Sequence, residues 1–159
     1  MQIKLNNKVV VSDPCYELNT WGQGVLEGVL LGFYNCEAKM VNDQFWGTRV
    51  ASLEVCHECY KNPNYKLAPF TIGVDSGQAG IFDYEYYEKH HVNTLENMAI
   101  NDQWYDDVCD ITLAPQPYGT TEDKGFVSSS GFGDGVYPCY VAKNNNDEII
   151  AIRIVFIEE

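Results

Sequence analysis

The segment that decides the fold lies near the C-terminus and reads Tyr137-Pro-Cys-Tyr-Val-Ala-Lys143, Asn144-Asn-Asn-Asp147, Glu148, Ile149-Ile-Ala-Ile-Arg-Ile-Val-Phe-Ile157. Two apolar runs of strand length, rich in β-branched and aromatic residues, flank four Asn and Asp residues. Asn and Asp tolerate the left-handed backbone conformations that tight turns need. The pattern therefore predicts a β-hairpin with strands 137–143 and 149–157.

Upstream segments repeat this style of short apolar runs separated by turn residues. Further strands are predicted at 9–11, 28–34, 37–41, 45–55 and 70–74, and a Ser/Gly-rich loop with a short apolar start at 125–135. Eleven Tyr, seven Phe and three Trp suit half-buried pleated surfaces. We expect an α+β fold that is mainly antiparallel β, either a sandwich or a partly open barrel, with one or two helices and the C-terminal hairpin.

Two segments favour helices. The polar and aromatic stretch 83–92 predicts a short helix, and 94–113 predicts a longer one, capped by Thr94 and ended by the following prolines. In the longer segment, Asp102, Asp106 and Asp110 recur every four residues and so share one face. The opposite face carries the apolar residues that we expect to pack on the core, which are Trp104, Val108 and Ile111.

Length and charge limit the function classes. The chain has 159 residues, which suits one domain spanning 1–159. Ten basic and 23 acidic side chains give a formal net charge of −13, which repels nucleic-acid phosphates and anionic membranes. We therefore expect neither direct nucleic-acid binding nor membrane binding. The N-terminus shows no signal-peptide pattern, so the expected location is the cytoplasm, with all six cysteines as thiols.

The acidic helical face has two interpretations. It could bind a basic host protein through Asp102, Asp106 and Asp110, or it could be a solvated surface that keeps the protein soluble. The solvated surface is the simpler explanation, because acidic faces commonly serve only solubility.

A second pattern, Cys56-His57-Glu58-Cys59, has the spacing of half a zinc site. A zinc ion would need Cys56 and Cys59 together with a distant histidine such as His90. The chain has no second Cys-x-x-Cys, so we predict neither a metal nor another cofactor.

Three turns share an aspartate next to a strand: Asp13-Pro-Cys-Tyr16, Asp75-Ser-Gly77 and Gly133-Asp134-Gly135. Taken singly, each is explained by an Asp side chain that bonds turn amides. Taken together, the three turns could line one rim of a pocket for a small, nucleotide-like ligand, with aromatic stacking and amide donors. The predicted ligand-binding residues are Asp13, Tyr16, Asp75, Ser76, Ser130, Phe132, Asp134 and Tyr137.

These turns, with Val74-Asp-Ser-Gly77-Gln-Ala-Gly80, Trp104-Tyr-Asp-Asp-Val-Cys109 and Gly133-Asp-Gly-Val-Tyr137, carry a resemblance over most of the chain. The chain resembles a group of uncharacterised phage and bacterial proteins. The resemblance implies a compact β-rich fold and a phage or prophage origin, and it implies no activity. Small phage proteins often counter host defence, so the association favours an anti-defence accessory role.

Three functions follow as hypotheses. The first is a binding protein that sequesters a small, nucleotide-like ligand at the aspartate turns. The second is an acidic inhibitor or decoy that binds a basic host protein, and the third is a hydrolase or lyase that uses turn carboxylates. The sequence favours a binding protein over an enzyme. A β-rich chain also has strand edges to cover, and a symmetric homodimer is the commonest solution.

Overall fold

The computed structural model describes residues 1–92, 94 and 96–158, and within these residues the chain forms eleven strands and two helices. The strands are β1 (Gln2–Leu5), β2 (Val9–Ser12), β3 (Gly24–Leu26), β4 (Gly32–Asp43), β5 (Gly47–His57), β6 (Lys66–Val74), β7 (Gln78–Asp83), β8 (Tyr118–Thr121), β9 (Gly125–Ser129), β10 (Gly135–Lys143) and β11 (Ile149–Val155). The helices are α1 (Tyr84–Lys89) and α2 (Met98–Thr112).

The strands form two antiparallel sheets that pack as a sandwich, as the sequence predicts. A six-stranded sheet has the order β1-β4-β5-β11-β10-β6, and a five-stranded sheet has the order β3-β2-β7-β9-β8. The predicted C-terminal hairpin is confirmed, with Cys139 opposite Ile154 and Val141 opposite Ile152. Its second strand lies inside the six-stranded sheet, between β5 and β10.

The central strands of the five-stranded sheet, β2, β7 and β9, are buried on both faces because they lie between the other sheet and the helices. In β2, Val9 and Val11 belong to the core between the sheets, whereas Val10 packs beneath the helices. In β7, Ile81 and Phe82 divide in the same way. The result is three layers, and a middle-layer strand has no polar face.

This double burial corrects the prediction of a loop at 125–135. Residues 125–129 form β9, which pairs with β7 on one side and β8 on the other. Its small residues fit the middle layer, because a Cβ at Gly125 would lie 2.5 Å from the Phe82 ring. Only residues 130–134, which include the turn at Gly131 and Gly133, are irregular, because Gly135 already begins β10.

Both helices lie over the five-stranded sheet. Helix α1 falls within the predicted segment 83–92, and the Asp83 side chain caps it by accepting a bond from the Tyr86 amide. Helix α2 begins at Met98, so the predicted start at Thr94 is wrong. Its N-cap is Asn97, whose side chain makes no cap bond, and the Thr94 carbonyl accepts the amides of Asn97 and Met98 in the turn that precedes the helix. Residues 93 and 95 of the predicted helix lie outside the described residues.

The predicted faces of α2 are confirmed. Trp104 and Val108 are buried and Ile111 packs beside them, while Asp102, Asp106 and Asp110 are exposed. Whether the acidic face binds a basic partner stays a prediction. In the described part of the chain, neither helix combines the length and apolar character needed to cross a membrane.

Candidate functional site

The three aspartate turns meet at one end of the sandwich, around the buried carboxylate of Asp13. Its Oδ1 accepts bonds from the Cys15 amide at 2.9 Å and the Ser76 hydroxyl at 2.6 Å. Its Oδ2 accepts bonds from the amides of Asp75 at 2.8 Å and Ser76 at 2.7 Å. These four bonds, named here the Asp13 lock, use the acceptor capacity of a carboxylate. Asp13 therefore joins the turns that follow β2 and β6 and has little capacity left for a ligand.

The third turn joins the second by two further bonds. Asp134 Oδ1 accepts the Gly77 amide at 2.9 Å, and the Ser130 amide donates to the Gly77 carbonyl at 3.0 Å. The turns that the sequence linked are thus neighbours in the fold.

Most other residues of the predicted ligand set also hold these turns in place. The Tyr16 hydroxyl donates to Asp75 Oδ2. The Ser130 and Tyr137 hydroxyls both donate to the Gly133 carbonyl, at 2.8 and 2.6 Å. Phe132 differs, because its side chain is 55% exposed. A ligand-binding role for these residues stays a prediction.

A cleft lies on the other side of the Asp13 turn, between that turn, the end of α1 and the start of α2. This helix cleft has a volume of about 280 Å³, and the residues that line it include Cys15, Glu17, His90, Asn101, Asp102 and Trp104. Its volume is close to the lower limit of small-molecule sites. Sequence analysis assigned none of these residues to a small-ligand pocket.

His90 is the most unusual residue of the helix cleft. Its side chain is 6% exposed, and its ring stacks on Trp104 with centroids 5.3 Å apart. Among the described residues, neither ring nitrogen has a hydrogen-bond partner, since Glu122 Oε2 is 4.0 Å from Nε2. A buried polar group without a partner costs about 1–3 kcal/mol, so such groups are rare.

Asn101 adds a second unsatisfied atom. Its Nδ2 donates to the Val92 carbonyl at 2.9 Å, while its Oδ1 is buried and has no partner among the described residues. Two residues that line the cleft, at the end of α1 and in the first turn of α2, thus carry buried polar atoms without a partner among the described residues.

The opposite wall of the cleft is fixed by His91. Its Nδ1 lies 2.7 Å from the Tyr87 carbonyl and its Nε2 lies 2.9 Å from the Pro14 carbonyl. The His91 ring stacks on Tyr87, whose hydroxyl donates to the carbonyls of Asp13 and Tyr16. Helix α1 is therefore tied to the Asp13 turn, and the cleft between them is preformed.

A family model described as "Protein of unknown function (DUF4241)" matches residues 5–154. The chain belongs to the DUF4241 family. The match runs from the end of β1 into β11, so the DUF4241 region includes both the Asp13 lock and the helix cleft. No curated protein matches the chain, and no solved structure does. The match confirms the expected resemblance to a family of unknown function. A phage origin stays a prediction.

The residues of this DUF4241 protein that the sequence offered as zinc ligands, Cys56, Cys59 and His90, do not come together in the fold. Cys56 lies in β5 of the six-stranded sheet, whereas His90 follows α1 on the far side of the other sheet. Across residues 1–92, 94 and 96–158, no three His, Cys, Asp or Glu side chains are grouped as metal ligands. The Cys56 thiol instead contacts the carbonyls of His57 and Tyr60.

Cys15 lines the cleft and is an exposed residue, yet its thiol is a weak acid. Burial of the sulfur, followed by the hydrogen bond and charge of Asp13, raises the pKa of Cys15 to about 12. We predict that iodoacetamide alkylates Cys15 at pH 8 about tenfold or more slowly in the folded protein than in urea. Peptide mass spectrometry measures both rates. Equal rates would show that the Asp13 environment does not suppress the thiolate.

Burial lowers the pKa of His90, and the Glu122 carboxylate opposes this shift. The unfolded chain therefore takes up this proton at a higher pH than the folded chain does. We predict that His90 makes the folded state less stable as the pH falls below about 6.5, with a slope of at most about 1.4 kcal/mol per pH unit. This contribution is absent above that pH.

Urea unfolding of the wild type and of His90→Gln between pH 7.5 and 5 measures this contribution. We expect the variant to lose less stability on acidification. Glu122→Gln removes the opposing carboxylate and should increase the loss. Identical pH profiles for the wild type and His90→Gln would contradict the prediction.

Proposed function

We propose that this protein is a non-enzymatic binding protein that holds a small polar ligand in the helix cleft. The observation that carries the proposal is His90, a buried imidazole that lines a cavity and has no hydrogen-bond partner within the described chain. The His90 nitrogens are themselves buried, so a bound ligand would supply the partner once the ring turns toward the cleft, and its binding would recover the cost of leaving the imidazole unsatisfied.

The preformed cleft supports this function. The two His91 contacts and the Tyr87 hydroxyl hold α1 against the Asp13 turn. The Asp13 lock fixes that turn in place through four further bonds. A site that is already ordered loses little conformational entropy on binding, so even a small ligand can bind with useful affinity.

Binding is better supported than catalysis. Asp13, the buried carboxylate at the centre of the turns, already accepts four bonds and is a poor candidate for the proton transfer that a hydrolase or lyase would need. A mechanism that uses Cys15, the cysteine that lines the cleft, has little support, because a thiol with a pKa of about 12 is a poor nucleophile at neutral pH. If the protein is of phage origin, it would act by sequestering a small molecule of the host, which is the predicted anti-defence role.

The test uses the full chain. Mass spectrometry identifies small molecules released from the purified protein by denaturation, and calorimetry measures binding of neutral, cationic and anionic probes. We expect at least one probe to bind, and His90→Phe to weaken that binding at least tenfold. His57→Phe is the matched control, because His57 is also buried but lies in β5, away from the cleft. If no molecule is released and no probe binds, the proposal fails.

A further inference from the structure

We propose that the helix cleft takes an uncharged or cationic molecule that presents a hydrogen-bond donor beside an acceptor, as the edge of a nucleobase or an amide does, and that it rejects phosphorylated molecules. This inference rests on the proposed binding function and names the class of ligand. It narrows the nucleotide-like ligand expected from the sequence to one without a phosphate.

The unsatisfied atoms determine the hydrogen-bond pattern. Asn101 Oδ1 can only accept, so it requires a donor on the ligand. A neutral imidazole such as His90 has one N–H donor and one acceptor nitrogen. A ligand that bonds both residues, once their buried polar atoms turn toward the cleft, therefore offers both donors and an acceptor. A carboxylate or a fully ionised phosphate offers acceptors only and would leave Asn101 Oδ1 unpaired.

The charges around the cleft point to the same class. Its lining includes the carboxylates of Glu17 and Asp102, and none of the lining residues in the described chain is a Lys or Arg. The whole protein, with these two carboxylates included, carries a formal net charge of −13. Phosphate sites in proteins use cationic side chains or the N–H groups of a helix N-terminus to offset the ligand charge. A phosphate here would face two carboxylates instead, whereas an amine or a neutral heterocycle would not be repelled.

Calorimetry with adenosine, cytidine and nicotinamide, set against AMP and CMP, tests the class. We expect at least one uncharged probe to bind at least tenfold more tightly than its phosphorylated form. Asp102→Asn should reduce this ratio severalfold, because the variant removes a carboxylate from the cleft. Asp106→Asn is the matched control, since Asp106 is exposed one turn along α2 and does not line the cleft. That variant should leave the ratio unchanged.

The two proposals fail in different ways. If the phosphorylated probe binds as tightly as the uncharged one, or if Asp102→Asn and Asp106→Asn change the ratio equally, the ligand class is wrong and the binding function stands. If neither the uncharged nor the phosphorylated probes bind and no small molecule is released from the purified protein, only water fills the cleft, and both proposals fail.

Discussion

Asp13→Asn should lower the free energy of unfolding by about 3–5 kcal/mol, as expected when one partner of a buried charged network is removed. The side chain keeps its shape, but an NH2 group replaces one of the two carboxylate oxygens. At least one backbone amide of the Asp13 lock then loses its acceptor and faces an NH2 group in a buried site. Because these bonds connect turns about 60 residues apart, their loss also frees one end of the sandwich.

Urea unfolding followed by circular dichroism measures this loss. Asp134→Asn is the matched control in the same group of turns, because among the described residues its exposed carboxylate accepts a single bond, from the Gly77 amide. We expect that change to cost less than about 1 kcal/mol. If Asp13→Asn costs no more than Asp134→Asn, the Asp13 bonds do not hold the turns together.

Trp104→Ala should destabilise the protein by a similar amount, about 3–5 kcal/mol, because it removes the largest side chain between the helices and the five-stranded sheet. The indole is 4% exposed and packs against the rings of Phe82, Tyr87 and His90. Its Nε1 also donates to the Tyr86 hydroxyl at 2.6 Å. Truncation therefore leaves a cavity and removes a buried hydrogen bond.

The chain offers a control of the same residue type. Trp46 lies at the tip of the β4–β5 hairpin and is 65% exposed. Trp46→Ala should change stability by no more than about 0.5 kcal/mol. Thermal and urea unfolding of both variants should separate them clearly. If Trp104→Ala costs as little stability as Trp46→Ala, the packing of α2 contributes little to the fold.

Local patterns in the sequence predicted the elements that have a clear turn signal or one apolar and one polar face. The C-terminal hairpin has a turn of Asn and Asp between two apolar runs, and α2 has acidic residues opposite Trp104 and Val108. Strand β9 was missed because it is buried on both faces and rich in Gly and Ser, so it lacks the alternation that identifies a half-buried strand. The order of strands in each sheet also depends on long-range packing that no local pattern contains.

The site was only partly predictable for a related reason. Turn chemistry drew attention to Asp13, Asp75 and Asp134, whose turns are neighbours in the fold, but two of the residues that donate to Asp13 lie more than 60 positions away. That the Asp13 carboxylate is fully bonded is visible only in the fold. His90 was noted only as a distant candidate for zinc. Its missing partners are a property of the folded surroundings, and the sequence cannot show them.

The place of β11 between β5 and β10 has a consequence for synthesis on the ribosome. The chain emerges N-terminus first, so β1, β4, β5 and β6 are available long before residues 135–155. Until then, β5 and β6 each have an unpaired edge on the side where the hairpin will insert. The six-stranded sheet is therefore completed after translation of its last strand, and nascent chains lacking that strand are the ones most exposed to aggregation.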